Sequence, residues 1–236
     1  MTDYRAIEQQ LAAQLALPRR PVAVAFRDRA PAGVAALAGT QPSGCSFWRL
    51  AAAGQTFYTV ARDHHNCPIG SYTHGIDLPP DRAPELAQTL AFMTGLGYLR
   101  MEEVPGIPRL PTQPAVVVYA PLGDTPVDPD VVLFSGRPGR VMLLQEAAAR
   151  AGVATGAPLL GRPTCMALPA ALASGVIAST GCTGNRVYTD LGEDELYVAV
   201  PGAALPRIAE AAATIATANA ALADYHRGRR LALATS

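Results

Sequence analysis

The 236-residue sequence predicts a mixed α/β protein. The expected form is one compact domain, 1–236, made of two pseudo-repeat halves at about 18–103 and 115–227. Each half would be a small mixed sheet flanked by helices, and the two would pack about a pseudo-twofold axis. Three observations predict this. With 50% hydrophobic and 16% charged residues the chain is too apolar to stay disordered, and its 21 Gly and 21 Pro show no collagen-like period. Helical periodicity alternates with short β-rich runs. The same landmarks then recur, in the same order, past the middle of the chain.

Thr2 to Leu17 opens the chain as a helix, with Ile7, Leu11 and Leu15 on one face and Thr2 as its cap. Pro18 and Pro21 stop it, and Pro21 to Phe26 (PVAVAF) reads as a buried strand. Gln55 to Ala61 is a second β-rich run, and Pro84 to Leu96 a helix with proline in its first turn. A proline-rich link, Glu103 to Pro114, marks the middle. Beyond it Ala115 to Pro121 (AVVVYAP) and Asp130 to Phe134 read as strands, Arg140 to Ala151 as a helix, and Val176 to Ser179 and Glu195 to Val200 as strands. Leu205 to Arg227 forms a long final helix.

In the first half PVAVAF precedes Cys45, an apolar stretch reaching Gly54, Cys67 with Gly70 behind it, Tyr72-Thr73 and the helix from Pro84. In the second, AVVVYAP precedes Cys165, an apolar stretch reaching Gly175, Cys182 with Gly184 behind it, Tyr188-Thr189 and the helix from Pro206. A diverged duplication explains this order, and it predicts that Cys67 and Cys182 occupy matching places near the axis.

A formal net charge of zero supplies no field to hold nucleic acid or an anionic membrane surface. All 19 basic residues are arginine, which excludes Schiff-base chemistry and the lysine of a P-loop. No apolar run reaches the roughly eighteen residues of a membrane span, and the N-terminus enters a helical pattern without a signal core, so the expected location is cytoplasmic. In that reducing compartment the four cysteines are free thiols, metal ligands or redox groups.

Their flanks point to chemistry. Gly44-Cys45, Cys67-Pro68 and Gly181-Cys182, with Pro163 two before Cys165, describe bent backbone at element ends, where thiolate ligands sit. No two cysteines stand two to four residues apart, as a structural zinc knuckle requires. An iron-sulfur cluster is larger and is bridged from distant loops, and Cys45, Cys67, Cys165 and Cys182 match the four ligands of a [4Fe-4S] cluster. A cysteine nucleophile beside His64 or His65 is a further reading.

The chain also resembles the ArCR-type proteins of bacteria and archaea, a domain of unknown function. The resemblance rests on Cys67-Pro68-Ile69-Gly70, Gly161-Arg162-Pro163-Thr164-Cys165, Gly181-Cys182-Thr183-Gly184-Asn185-Arg186, and Glu195-Leu196-Tyr197 leading to Val200-Pro201-Gly202. It runs from about Leu11 to Ala213. It implies one complete domain and leaves function and metal open.

The preferred reading is an iron-sulfur protein acting as a redox or cluster-dependent enzyme component on a small molecule, with His74, Asn185 and Arg186 as substrate-binding residues in the cleft between the halves. The rival is a non-enzymatic small-ligand or metal-binding sensor with zinc or another ion at the thiols. A small molecule or a redox partner is expected, nucleic acid and membrane are not, and a homo-oligomer is compatible with the sequence. The four sulfurs should lie in one pocket.

Overall fold

A computed structural model describes residues 2–159 and 161–234. The mixed α/β class holds. The helices are α1 (Tyr4–Leu15), α2 (Gly44–Ala52), α3 (Ala61–His64), α4 (Pro68–Thr73), α5 (Pro84–Gly95), α6 (Pro138–Arg150), α7 (Ala167–Ser174), α8 (Thr183–Thr189) and α9 (Leu205–Ala234). The strands are β1 (Val22–Arg27), β2 (Phe57–Thr59), β3 (Val116–Pro121), β4 (Val131–Gly136), β5 (Ile177–Ser179) and β6 (Leu196–Pro201).

These strands form one antiparallel sheet, in the order β2-β3-β1-β4-β6-β5. The expectation of a separate mixed sheet in each half gives way to this continuity. β1 and β4 pair directly, Val22 opposite Leu133 and Val24 opposite Val131, so the sheet has no seam at its centre. AVVVYAP, expected to answer PVAVAF, lies beside it, with Val22 opposite Pro121 and Arg27 opposite Val116. In its pairing β3 corresponds to β6. Both are six-residue strands ending in proline, and both stand between a three-residue edge strand and a central strand.

Side chains alternate across a strand, so each strand serves both faces. Val22, Val24, Val117, Tyr119, Val131, Leu133, Tyr197 and Ala199 point to one side, into a core shared with α2, α7, Cys45 and Cys165. Ala23, Val132, Phe134, Val198 and Val200 point to the other, under α1, α6 and α9. Coverage on both faces explains why these strands are near-continuous apolar runs and not polar-apolar alternations.

The N-cap of α1 is Asp3, not Thr2: its carboxylate accepts the Ala6 N–H at 3.0 Å. The short helices α2, α4, α7 and α8, none marked in the sequence reading, all lie on the cysteine-bearing side of the sheet. At six to nine residues such helices complete too few turns to print a period. The final helix runs on to Ala234, past the expected Arg227. No helix of the described residues is long and apolar enough to cross a membrane.

Candidate functional site

Each cysteine sits at the start of a helical segment, and a neighbour of one partner holds another. Cys45 is the second residue of α2 and is buried. Cys67 is the N-cap of α4, with Pro68 at the first helical position, where the missing N–H costs nothing. The Cys67 Sγ accepts the Gly70 N–H at 3.3 Å, and the N–H of Gly44, the residue before Cys45, lies close by. A Cβ at position 70 would stand 3.0 Å from this sulfur, so glycine there keeps the approach open.

Cys165 lies in a single 3-10 turn, Thr164–Met166, and is buried. Cys182 is the N-cap of α8, and its Sγ accepts the Asn185 N–H at 3.4 Å. The residue before Cys165 ties these two together: the Thr164 hydroxyl oxygen accepts the Cys182 N–H at 2.6 Å and donates to the Gly161 carbonyl at 3.2 Å. Gly161 has φ +84, and a Cβ there would fall within 2.6–2.8 Å of the Gly181 backbone. Only glycine lets the two loops touch. The pairs then meet through α2 against α8 and α4 against the 3-10 turn.

All four cysteines border one cavity of about 490 Å³. All are free thiols. Burial pushes the Cys45, Cys67 and Cys165 thiols above the ordinary range, and proximity of the others raises them further, every one of the six pairs being felt. Cys45, Cys67 and Cys165 are thereby held as neutral thiols. Among the described residues, no three His, Cys, Asp or Glu side chains are arranged as ligands of one metal ion.

Unsatisfied polar groups adjoin the sulfurs. The Tyr119 hydroxyl on β3 is fully buried and has no hydrogen-bond partner among the described residues, and its acidity is suppressed by burial and then by nearby Cys45 and Cys165. The side-chain amide of Asn185 is buried with neither atom in a well-formed hydrogen bond, although it lies near Cys45 and Tyr197. Such orphans are rare in native cores and mark places where another group belongs.

Of the three residues expected to bind substrate, Asn185 borders the cavity and the other two do not. His74 is buried beneath α4, where its Nδ1 donates to the Gly70 carbonyl at 2.9 Å and its ring lies 5.2 Å from that of His64. Arg186 reaches the backbone carbonyls of Gly192, Thr180 and Glu195, which fixes the loop after α8 and leaves no free fork for a ligand. His64 donates or accepts at Thr59 Oγ1 (2.8 Å), away from the cavity lining, so the sequence around Cys67 brings no histidine to it. The reading missed the far wall: Leu90, Met93, Leu96 and Leu99, in and after α5, with Ile107 and Arg162. Periodicity had marked α5 as a helix, and nothing in it distinguishes a cavity wall from a core face.

A family profile described as uncharacterised ArCR matches residues 10–211. An uncharacterized protein of Methanocaldococcus jannaschii is 31% identical over 158 residues, 63% of this chain and 66% of the relative. No solved structure matches.

Proposed function

Taking as premise that the chain belongs to the uncharacterised ArCR family, we propose that Cys45, Cys67, Cys165 and Cys182 hold an iron-sulfur cluster, of the [4Fe-4S] type, at the floor of the cavity. The protein then acts as a redox or cluster-dependent enzyme component on a small molecule. One observation carries the reading: four free thiols, brought from four separate helix starts, border a single cavity.

Cys45, Cys67 and Cys165 hold their protons above the ordinary range, and Cys182 borders the same cavity. Ligation replaces their protons with a cation, and a thiolate made more basic by burial is a strong donor to it. The absence of a single-ion arrangement among the described residues disfavours zinc at these thiols as they stand. A four-iron, four-sulfide body is larger and needs ligands set further apart. The N–H groups of Gly70 and Asn185 already point at sulfur, and such bonds strengthen when the sulfur is a thiolate.

When bound, the cluster would supply an electron. The chain's own residues hold the sulfurs, exclude water with the apolar wall and border the ligand's place. Purification without oxygen tests this. Brown protein with iron and acid-labile sulfide in equal amounts is the expected result. Colourless protein carrying zinc, or no metal, overturns it.

A further inference from the structure

We infer that the cavity above the four thiols binds an uncharged molecule with an apolar, ring-sized body, seated against α5 and the segment after it. The inference rests on reading the thiol cavity as the working site, and it names the class of ligand that the site takes.

The volume, about 490 Å³, is that of small-molecule sites, which run roughly 300–1,000 Å³. The wall facing the thiols is Leu90, Met93, Leu96, Leu99 and Ile107, with Phe92 at the rim. Walls of this kind favour apolar guests, whose burial against them removes hydrocarbon surface from water. Asn185 borders it at the thiol floor, with no well-formed bond on either amide atom, so the polar chemistry is confined to one end.

Charge sets the class. Arg162 is the one charged residue among the described residues bordering the cavity. Its guanidinium donates to the Tyr98 carbonyl, lies 5.4 Å from the Tyr98 ring and is 3.7 Å from the Glu103 carboxylate. An anionic ligand would meet the Glu103 carboxylate beside Arg162, and a cationic one would meet Arg162 and an apolar wall. A neutral molecule meets neither obstacle.

The wall can also yield. Within α5 only Leu90 is buried, while Phe92 is 68% exposed and Leu96, just after the helix, 67%. The helix packs chiefly on α4. Elements with so few buried contacts open at small cost, which gives a ligand its way in.

Two dyes of nearly one skeleton test the inference by equilibrium dialysis against the full chain purified without oxygen. N-phenyl-1-naphthylamine is neutral, and 1-anilinonaphthalene-8-sulfonate adds a sulfonate. The neutral dye should bind at one site at least tenfold more tightly than the anionic one. Met93→Trp, which fills the cavity, and Leu96→Trp, which narrows it from an exposed position, should each weaken the neutral dye tenfold or more. Equal or tighter binding of the sulfonate overturns the inference, as does neutral-dye binding that neither tryptophan disturbs. Iron is measured on the same preparation. Dye binding without iron removes the cluster reading and keeps this one, and iron without neutral-dye binding does the reverse.

Discussion

Cys67 and Cys182 cap their helices in the same way: each sulfur accepts the backbone N–H three residues on, Gly70 at 3.3 Å and Asn185 at 3.4 Å. Each also follows a three-residue edge strand, β2 or β5, so the two sulfurs reach the cavity from opposite ends of the sheet. A thiol is a weak acceptor, and cysteine is not among the preferred caps. Serine would cap better at both places, and the proposed cluster gives each sulfur a role that a hydroxyl could not fill.

That contrast makes Cys67→Ser and Cys182→Ser informative. For a packed but chemically idle cysteine, serine improves the cap, and stability should change by no more than about 1 kcal/mol. For a cluster ligand, iron is lost and the melting temperature falls with it, because binding free energy at such a site is folding free energy. We expect the second outcome for both, with similar losses for Cys45→Ser and Cys165→Ser. Full iron content and an unchanged melting temperature in the first two variants would remove the metal proposal.

Tyr119→Phe probes the orphaned hydroxyl beside Cys45 and Cys165. In metal-free protein the change deletes a buried, unpartnered polar group, and a stabilisation of about 1 kcal/mol is expected in denaturant titration. In the cluster-loaded protein the hydroxyl becomes a donor to a ligating sulfur, and its loss should lower the reduction potential while iron content stays constant. An unchanged potential would leave Tyr119 with a packing role only.

The placement of the cysteines was legible because glycine and proline beside a cysteine describe element ends, and all four do sit there. The helices they start were not, since a six- or seven-residue helix such as α4 or α8 shows no period. The pairing of the sheet was hidden for another reason. The proline-rich link at 103–114 looked like a boundary, but β3 returns across it to lie beside β1, a long-range pairing that no local pattern encodes. Thr164 stood within the run that carries the family resemblance, yet its bond to Cys182 spans 18 residues. Tyr119 read only as a strand residue, because periodicity assigns its side chain to a face and not to a neighbour.

Acid sensitivity should follow from His64 and His74. Burial holds the His74 imidazole down to about 4 and that of His64 well below its ordinary value, where nearby His74 and His65 lower it further. Between about pH 6.5 and 4 the unfolded chain binds a proton at His74 that the folded chain does not, so stability falls as pH drops through that window. A loss of about 3 kcal/mol by pH 4 is the scale for His74 alone. His74→Asn, which keeps a donor for the Gly70 carbonyl, should flatten the acid limb of melting temperature against pH. An acid limb as steep as before would locate the sensitivity elsewhere.

Thr164 is the sharpest test of how the loops are joined. Valine has its shape without the hydroxyl, so Thr164→Val leaves the Cys182 N–H and the Gly161 carbonyl without these partners. Thr164 is fully buried, and an unmet buried donor costs about 1–3 kcal/mol. The freed N–H belongs to a proposed ligand, so iron retention should drop together with stability. Thr164→Ser restores the hydroxyl and leaves only a methyl-sized void, a loss of about 1 kcal/mol, so it should recover iron content even where it does not recover the full melting temperature. If the valine variant loses stability but keeps its iron as well as the serine variant does, Thr164 supports the loop without positioning Cys182.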